Sequence, residues 1–178
     1  MRSTLLIPHL PVIVRSRLRF RGGFVDVKSS QVTGNAALHY AAWQLSRRGW
    51  NVMLTARNSK GSDLFCSNDD ETIFFGVQSK GLSKRDPVGL GGNLDNLRSE
   101  WWIITIKAKT NNPVCFIMTV EEVKALCHRS DPAKSSNGKI SMWLQPTAYD
   151  RPEFREAWHR FGTEERPSIE TFDLTVAS

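Results

Sequence analysis

From residue 32 onward, apolar positions recur first at helical and then at strand spacing. In VTGNAALHYAAWQLSRRGWNV, Ala37, Tyr40, Ala41 and Leu45 fall three or four residues apart, which predicts one helix of about four turns. Thr33 is its expected N-cap, Arg47 and Arg48 lie in its last turn, and Gly49 is its expected terminator. The spacing then shortens. WNVMLTAR reads as a strand, NSKGS as a turn, DLFCS as a second strand, NDDE as a turn and TIFFGVQSK as a third strand. Residues 81–97, GLSKRDPVGLGGNLDNL, carry Pro87 and several glycines and read as a mobile loop. WWIITIK and VCFIM predict two more strands joined at TNNP, followed by a short helix, TVEEVKALC, with Thr119 and Glu122 at capping-box spacing. A strand at KISMWLQ and a helix from about Pro152 to Phe161 complete the pattern. The last residues, GTEERPSIETFDLTVAS, carry no clear signal. Strands interleaved with helices predict an α/β fold.

Composition bounds this picture more than it changes it. The 178 residues are 40% hydrophobic and 24% charged, enough for one sizeable core in a single globular domain. Cys66, Cys115 and Cys127 are an odd number without C-x-x-C or Cys/His pairing, which argues against a disulfide framework or a zinc site and points to a reducing cytosol. The apolar runs TIFFGV and WWIITI are far shorter than the roughly 20 residues of a membrane-spanning helix, so a cytoplasmic location is expected.

Charge is unevenly placed. Residues 1–30 hold Arg2, Arg15, Arg17, Arg19, Arg21 and Lys28 against Asp26 alone, a net of +5 out of +6, so residues 31–178 are near neutral. Within that basic arm, arginines alternate with apolar or small residues before Gly22-Gly23. A hairpin with an arginine row (Arg15, Arg17, Arg19, Arg21) facing phosphates is one reading. An upstream extension or targeting leader is the other. The expected organisation is therefore an arm over 1–30, a domain over 31–162 and a tail over 163–178.

The candidate chemistry lies in the hairpin. If DLFCS and TIFFGVQSK pair antiparallel about a turn at 67–72, Asp63 falls opposite Gln78, and strand alternation puts Gln78 and Lys80 on one face. A carboxylate, an amide oxygen and an ammonium can then converge, which suits phosphodiester hydrolysis: oxygen ligands for magnesium and a cation for the water and developing charge. A solvated lysine at a strand end and a turn-forming aspartate are the bland alternatives. Nearby, Lys84 and Arg85 in KGLSKR are candidates for phosphate contacts. DPVGLGGN lacks the G-K-[ST] of a P-loop. Trp101 and Trp102 point to opposite strand faces, so at least one is core and the other can stack on a base. His9, His128 and His159 lack metal spacing.

Gly34 and AAWQLSRRGWNV in the helix, GSDL at 61–64 and VQSK at 77–80 together resemble the PD-(D/E)XK nuclease superfamily, nearest its Holliday junction resolvase and restriction or homing endonuclease branches. The resemblance spans about residues 32–162. It implies a restriction-endonuclease-like fold, with a central mixed β-sheet flanked by α-helices, and magnesium- or manganese-dependent cleavage of DNA, often by a homodimer. Carried over residue by residue, Asp63 and Gln78 are metal ligands, the Ser79 carbonyl is a third, and Lys80 orients the attacking water. Two positions depart from the family pattern. Leu38 stands where many relatives carry a glutamate, with Asn35 and His39 as polar neighbours, and Gln78 replaces the usual Glu or Asp. The alternative expectation is therefore a nuclease-fold module that binds nucleic acid without cutting it; a third is an interaction domain with no nucleic-acid partner.

Overall fold

The computed structural model describes residues 27–55, 61–130 and 140–162. The arm residues Arg2, Arg15, Arg17, Arg19 and Arg21, and the tail from 163, lie outside them. Helix α1 (Val27–Ser46) opens the described chain. Strands β1 (Asn51–Leu54), β2 (Leu64–Ser67), β3 (Phe74–Gly81), β4 (Val88–Gly91), β5 (Trp101–Ile106) and β6 (Val114–Thr119) follow. Helix α2 (Val120–Ala125), strands β7 (Cys127–Arg129) and β8 (Met142–Leu144), and helix α3 (Pro146–Tyr149) complete the order. The central sheet runs β1-β2-β3-β5-β6 and is mixed: β3 and β5 are parallel, the other neighbours antiparallel. This is the predicted α/β class.

Helix α1 begins earlier than its sequence signals imply. Thr33 is not its cap; the hydroxyl lies inside the helix and donates to the Ser29 carbonyl at 2.7 Å, a use open to any mid-helix threonine. The other end follows expectation. Gly49 takes φ 94°, its N–H donates to the Ser46 carbonyl and that of Trp50 to Leu45, a paired closure that glycine permits because it has no Cβ to strain.

Two apolar layers sandwich the sheet. On one face Ala41 and Leu45 of α1 pack with Leu64, Val77, Ile103 and Ile117. On the other, Trp102, Ile104, Phe116 and Met118 pack with Val88, Leu90, Leu144 and Tyr149. Strand β5 is covered on both sides, which is why its apolar run is continuous rather than alternating. Each fully buried side chain of this size contributes about 1.5–3 kcal/mol.

The second face carries helices α2 and α3, through Val120, Val123, Ala148 and Tyr149, and beside them a three-stranded sheet, β4-β8-β7. Residues 88–91, read as part of a mobile loop, form β4 and pair antiparallel with β8, with an irregularity between Gly89 and Gly91. The predicted helix over 152–161 is also absent: a turn precedes a 3-10 turn at Trp158–Phe161, and α3 lies upstream at Pro146–Tyr149. Glu156, at φ 49°, breaks the run, and its carboxylate accepts from the Cys115 N–H at 2.6 Å and the Trp158 indole N–H at 2.7 Å. The capping box on α2 forms as predicted, with Thr119 and Glu122 exchanging both hydrogen bonds.

Candidate functional site

The β2–β3 hairpin sets the site. Asn68 is buried, accepts from the Ile73 N–H at 2.8 Å and donates to Thr72 Oγ1 at 2.9 Å, so the turn closes around one amide. That closure gives the register Leu64 opposite Val77. Asp63 and Gln78 are then the next pair, as the sequence symmetry predicts. The Asp63 N–H donates to the Val77 carbonyl at 2.8 Å, and the Thr55 N–H donates to the Asp63 carbonyl at 3.0 Å. Thr55 Oγ1 adds a bond to the Ser62 carbonyl at 2.9 Å. The aspartate backbone is thus fastened from both neighbouring strands.

Its side chain is fastened too. Asp63 Oδ2 accepts from the Ser79 N–H at 2.8 Å and from Gln78 Nε2. Strand β2 starts only at Leu64, so the carboxylate supplies the partner that the β3 edge otherwise lacks there. Phe75 and Val77 are buried against α1, which leaves Gln78 and Lys80 on the opposite sheet face, half-buried. Lys80 Nζ stands 5.5 Å from the centre of the Trp102 ring. Gln78 and Lys80 thus share one face of β3, and Gln78 is joined to the Asp63 carboxylate.

Two glycines make this possible. A Cβ at Gly76 would overlap Ser62 Oγ and approach Ser62 Cβ to 3.1 Å, so the strand carrying Gln78 lies tight against the residue before Asp63. A Cβ at Gly81 would stand 2.6 Å from the Thr33 carbonyl oxygen and 2.7 Å from Ala37 Cβ, so the end of β3 is pressed onto α1. A glycine inside a strand signals such close approach, and Gly76 was legible on that ground. Beyond Gly81 an open cleft of about 310 Å³ lies between the first turns of α1, at Ser29, Ser30 and Thr33, and the segment Leu82–Ser83.

The remaining predicted positions are dispersed. Leu38 packs against the first core, so no ligand comes from that helix position; Asn35 and His39 are exposed. Lys84 is exposed and 3.6 Å from Asp86. Arg85 is drawn onto Asp150 at 2.6 Å, and Tyr149 Oη donates to the Asp86 carbonyl at 2.9 Å, which anchors the segment after β3. Trp101 is half-buried against Phe161, with ring centres 4.8 Å apart, and under the Arg160 guanidinium at 5.5 Å. Trp102 is 2% exposed and closed to stacking on a base. Among the described residues its indole N–H has no hydrogen-bond partner. Burial pushes the thiols of Cys66 and Cys115 up to about 12, which removes them as nucleophiles near neutral pH.

The donor set is oxygen-rich but weakly charged. Among the described residues no group of three or more His, Cys, Asp or Glu is placed to hold a metal ion. Asp63 is the one carboxylate of the trio, joined by the Gln78 amide. Magnesium is commonly held by one or two carboxylates and keeps several waters, so this set fits such an ion once the Gln78 amide turns its oxygen toward Asp63.

No protein-family model matches the sequence, and no curated protein matches it. Among solved structures, this chain is similar to Archaeoglobus fulgidus Hjc, a Holliday junction resolvase from an archaeal hyperthermophile. The two are 13% identical, with a TM-score of 0.41 over 63% of this chain and 90% of that one. It is similar also to the bacterial homing endonuclease I-Ssp6803I, 17% identical, with a TM-score of 0.46 over 75% of this chain and 93% of that one.

Proposed function

We propose that this chain is a metal-dependent endonuclease of the PD-(D/E)XK kind that hydrolyses DNA phosphodiester bonds. The observation that carries the reading is the Asp63 carboxylate bonded by both Gln78 and the Ser79 N–H, with Lys80 on the Gln78 face of β3. Asp63 Oδ1 and Oδ2, Gln78 Oε1 and the Ser79 carbonyl would hold magnesium or manganese. When bound, the ion lowers the pKa of water and offsets charge gathering on the phosphoryl oxygens. Lys80 contributes a fixed cation at the same place, orienting the water and stabilising the extra negative charge as the ester bond breaks. Ser62 and Gly76 keep the two strands in register so that these groups stay within reach of one phosphate.

Cleavage of supercoiled circular, branched and single-stranded DNA, with magnesium and with chelator, tests the reading. Metal-dependent nicking of at least one substrate is expected, and Gln78→Glu is expected to lower the magnesium needed for half-maximal rate by roughly tenfold, ~1.4 kcal/mol, because it adds a second formal charge to the donor set. No nicking with either metal, or total loss in Gln78→Glu, overturns the assignment. A specific observation supports the second reading, a non-cutting nucleic-acid-binding module: Leu38 lies in the core and one carboxylate stands alone.

We further propose that the arginines of residues 1–30 contact backbone phosphates. Deleting them is expected to flatten the dependence of log affinity on log salt by about one slope unit per lost contact. An unchanged slope returns that segment to a leader.

A further inference from the structure

We infer that Trp102 is a positioning residue, whose buried indole face holds the Lys80 ammonium level with Asp63 and Gln78. The inference rests on the nuclease reading above and concerns one of two tryptophans of which the sequence pattern assigns at least one to the core.

The register between β3 and β5 carries it. Lys80 lies opposite Ile104, and the partner of Gln78 is Trp102. Yet the Lys80 ammonium stands 5.5 Å from the Trp102 ring centre. The contact is thus diagonal across the two strands, within reach of two long side chains, and it draws the lysine head toward the residue paired with Gln78. Lysine has a flexible four-carbon stem and a strongly hydrated head, so at the half-exposed end of a strand its ordinary course is outward to water. An indole face is the strongest aromatic attractor of a cation. This ring is 2% exposed and embedded among Val88, Leu90 and Tyr149, so it cannot follow the lysine if the lysine moves. A packed core thereby gives a fixed seat to a mobile cation. The buried indole N–H, without a partner among the described residues, fits the same account: Phe would fill this apolar place with no polar atom to satisfy, at the expense of a weaker cation-binding face.

Replacing Trp102 site-specifically with mono-, di- and trifluorinated tryptophan tests it, because fluorine drains the ring's negative face while leaving its shape. The cleavage rate is expected to fall about two- to threefold per fluorine, within the range of one desolvated cation–π contact, with DNA affinity and melting temperature constant. A protein that cleaves DNA equally with every analogue overturns the role of Trp102 and leaves the nuclease reading standing. A wild-type protein that cleaves no substrate overturns the nuclease reading instead. Proton NMR of Lys80 decides the contact in either case. Its ε-methylene protons should be shifted upfield by the ring in wild type and return to ordinary values in Trp102→Leu; unshifted protons in wild type sink the inference.

Discussion

Lys80→Ala is expected to reduce metal-dependent DNA cleavage by roughly 10²–10³-fold, the usual loss when one preorganised charge-stabilising group is removed, while DNA affinity stays within about threefold. The split follows from where the charge sits. Lys80 is one cation among several on the chain, so it adds little to the sum that attracts a polyanion, and each phosphate contact elsewhere acts independently of it. At the reacting phosphate it has no substitute among the residues beside it: Gln78 is neutral and Asp63 carries the opposite sign. The next cations along the chain face different partners, Lys84 near Asp86 at 3.6 Å and Arg85 on Asp150 at 2.6 Å. Lys80→Arg should not restore the rate, since a planar fork needs a different seat from a point charge over the Trp102 ring. Rates on nicked-circle gels, paired with filter-binding affinities, measure both halves. Wild-type cleavage by Lys80→Ala would remove the lysine from the mechanism.

What could be read from the sequence was local. The hairpin pairing of Asp63 with Gln78 follows from counting outward from a turn, because antiparallel register is symmetric about its loop, and strand alternation then placed Lys80 on the correct face. The α2 capping box and the Gly49 terminator were legible because each is a contact between residues a few positions apart. Contacts across long stretches of chain were not. The parallel pairing that puts Trp102 beside Gln78 joins strands separated by residues 82–100, and no periodicity within either strand specifies it. The segment around Gly89 and Gly91 looked like a loop because glycine is depleted in strands; it is held extended by β8, some fifty residues away. The helix expected over 152–161 failed for a related reason. Its apolar spacing is real, but the Phe116–Arg155 bridge and the Glu156 bond to the Cys115 N–H draw the backbone onto the edge of β6 instead. Tertiary partners overrode local preference.

Gly81→Ala tests the step between fold and site. Its added methyl would meet the Thr33 carbonyl oxygen at 2.6 Å and Ala37 Cβ at 2.7 Å. The first is backbone and the second is as short as a side chain can be, so neither can rotate aside. Relief requires α1 to lift from β3, loosening Ala41 and Leu45 against Val77, and overpacking of this kind typically costs about 1–3 kcal/mol. For a chain of this size that corresponds to a melting temperature lowered by roughly 3–10 °C. Gly34→Ala is the matched control, and its sign is opposite. Gly34 is itself part of the crowded approach, its Cα lying 3.1 Å from the methyl that Gly81→Ala would add, yet its own added Cβ meets nothing within 4 Å. Alanine inside a helix is favoured over glycine by about 0.5–1 kcal/mol, so that variant should melt slightly higher. Differential scanning calorimetry of the pair decides the matter: if Gly81→Ala melts within a degree of wild type, α1 is not pressed against the end of β3, and the rigid seat for Gln78, Ser79 and Lys80 loses its physical cause.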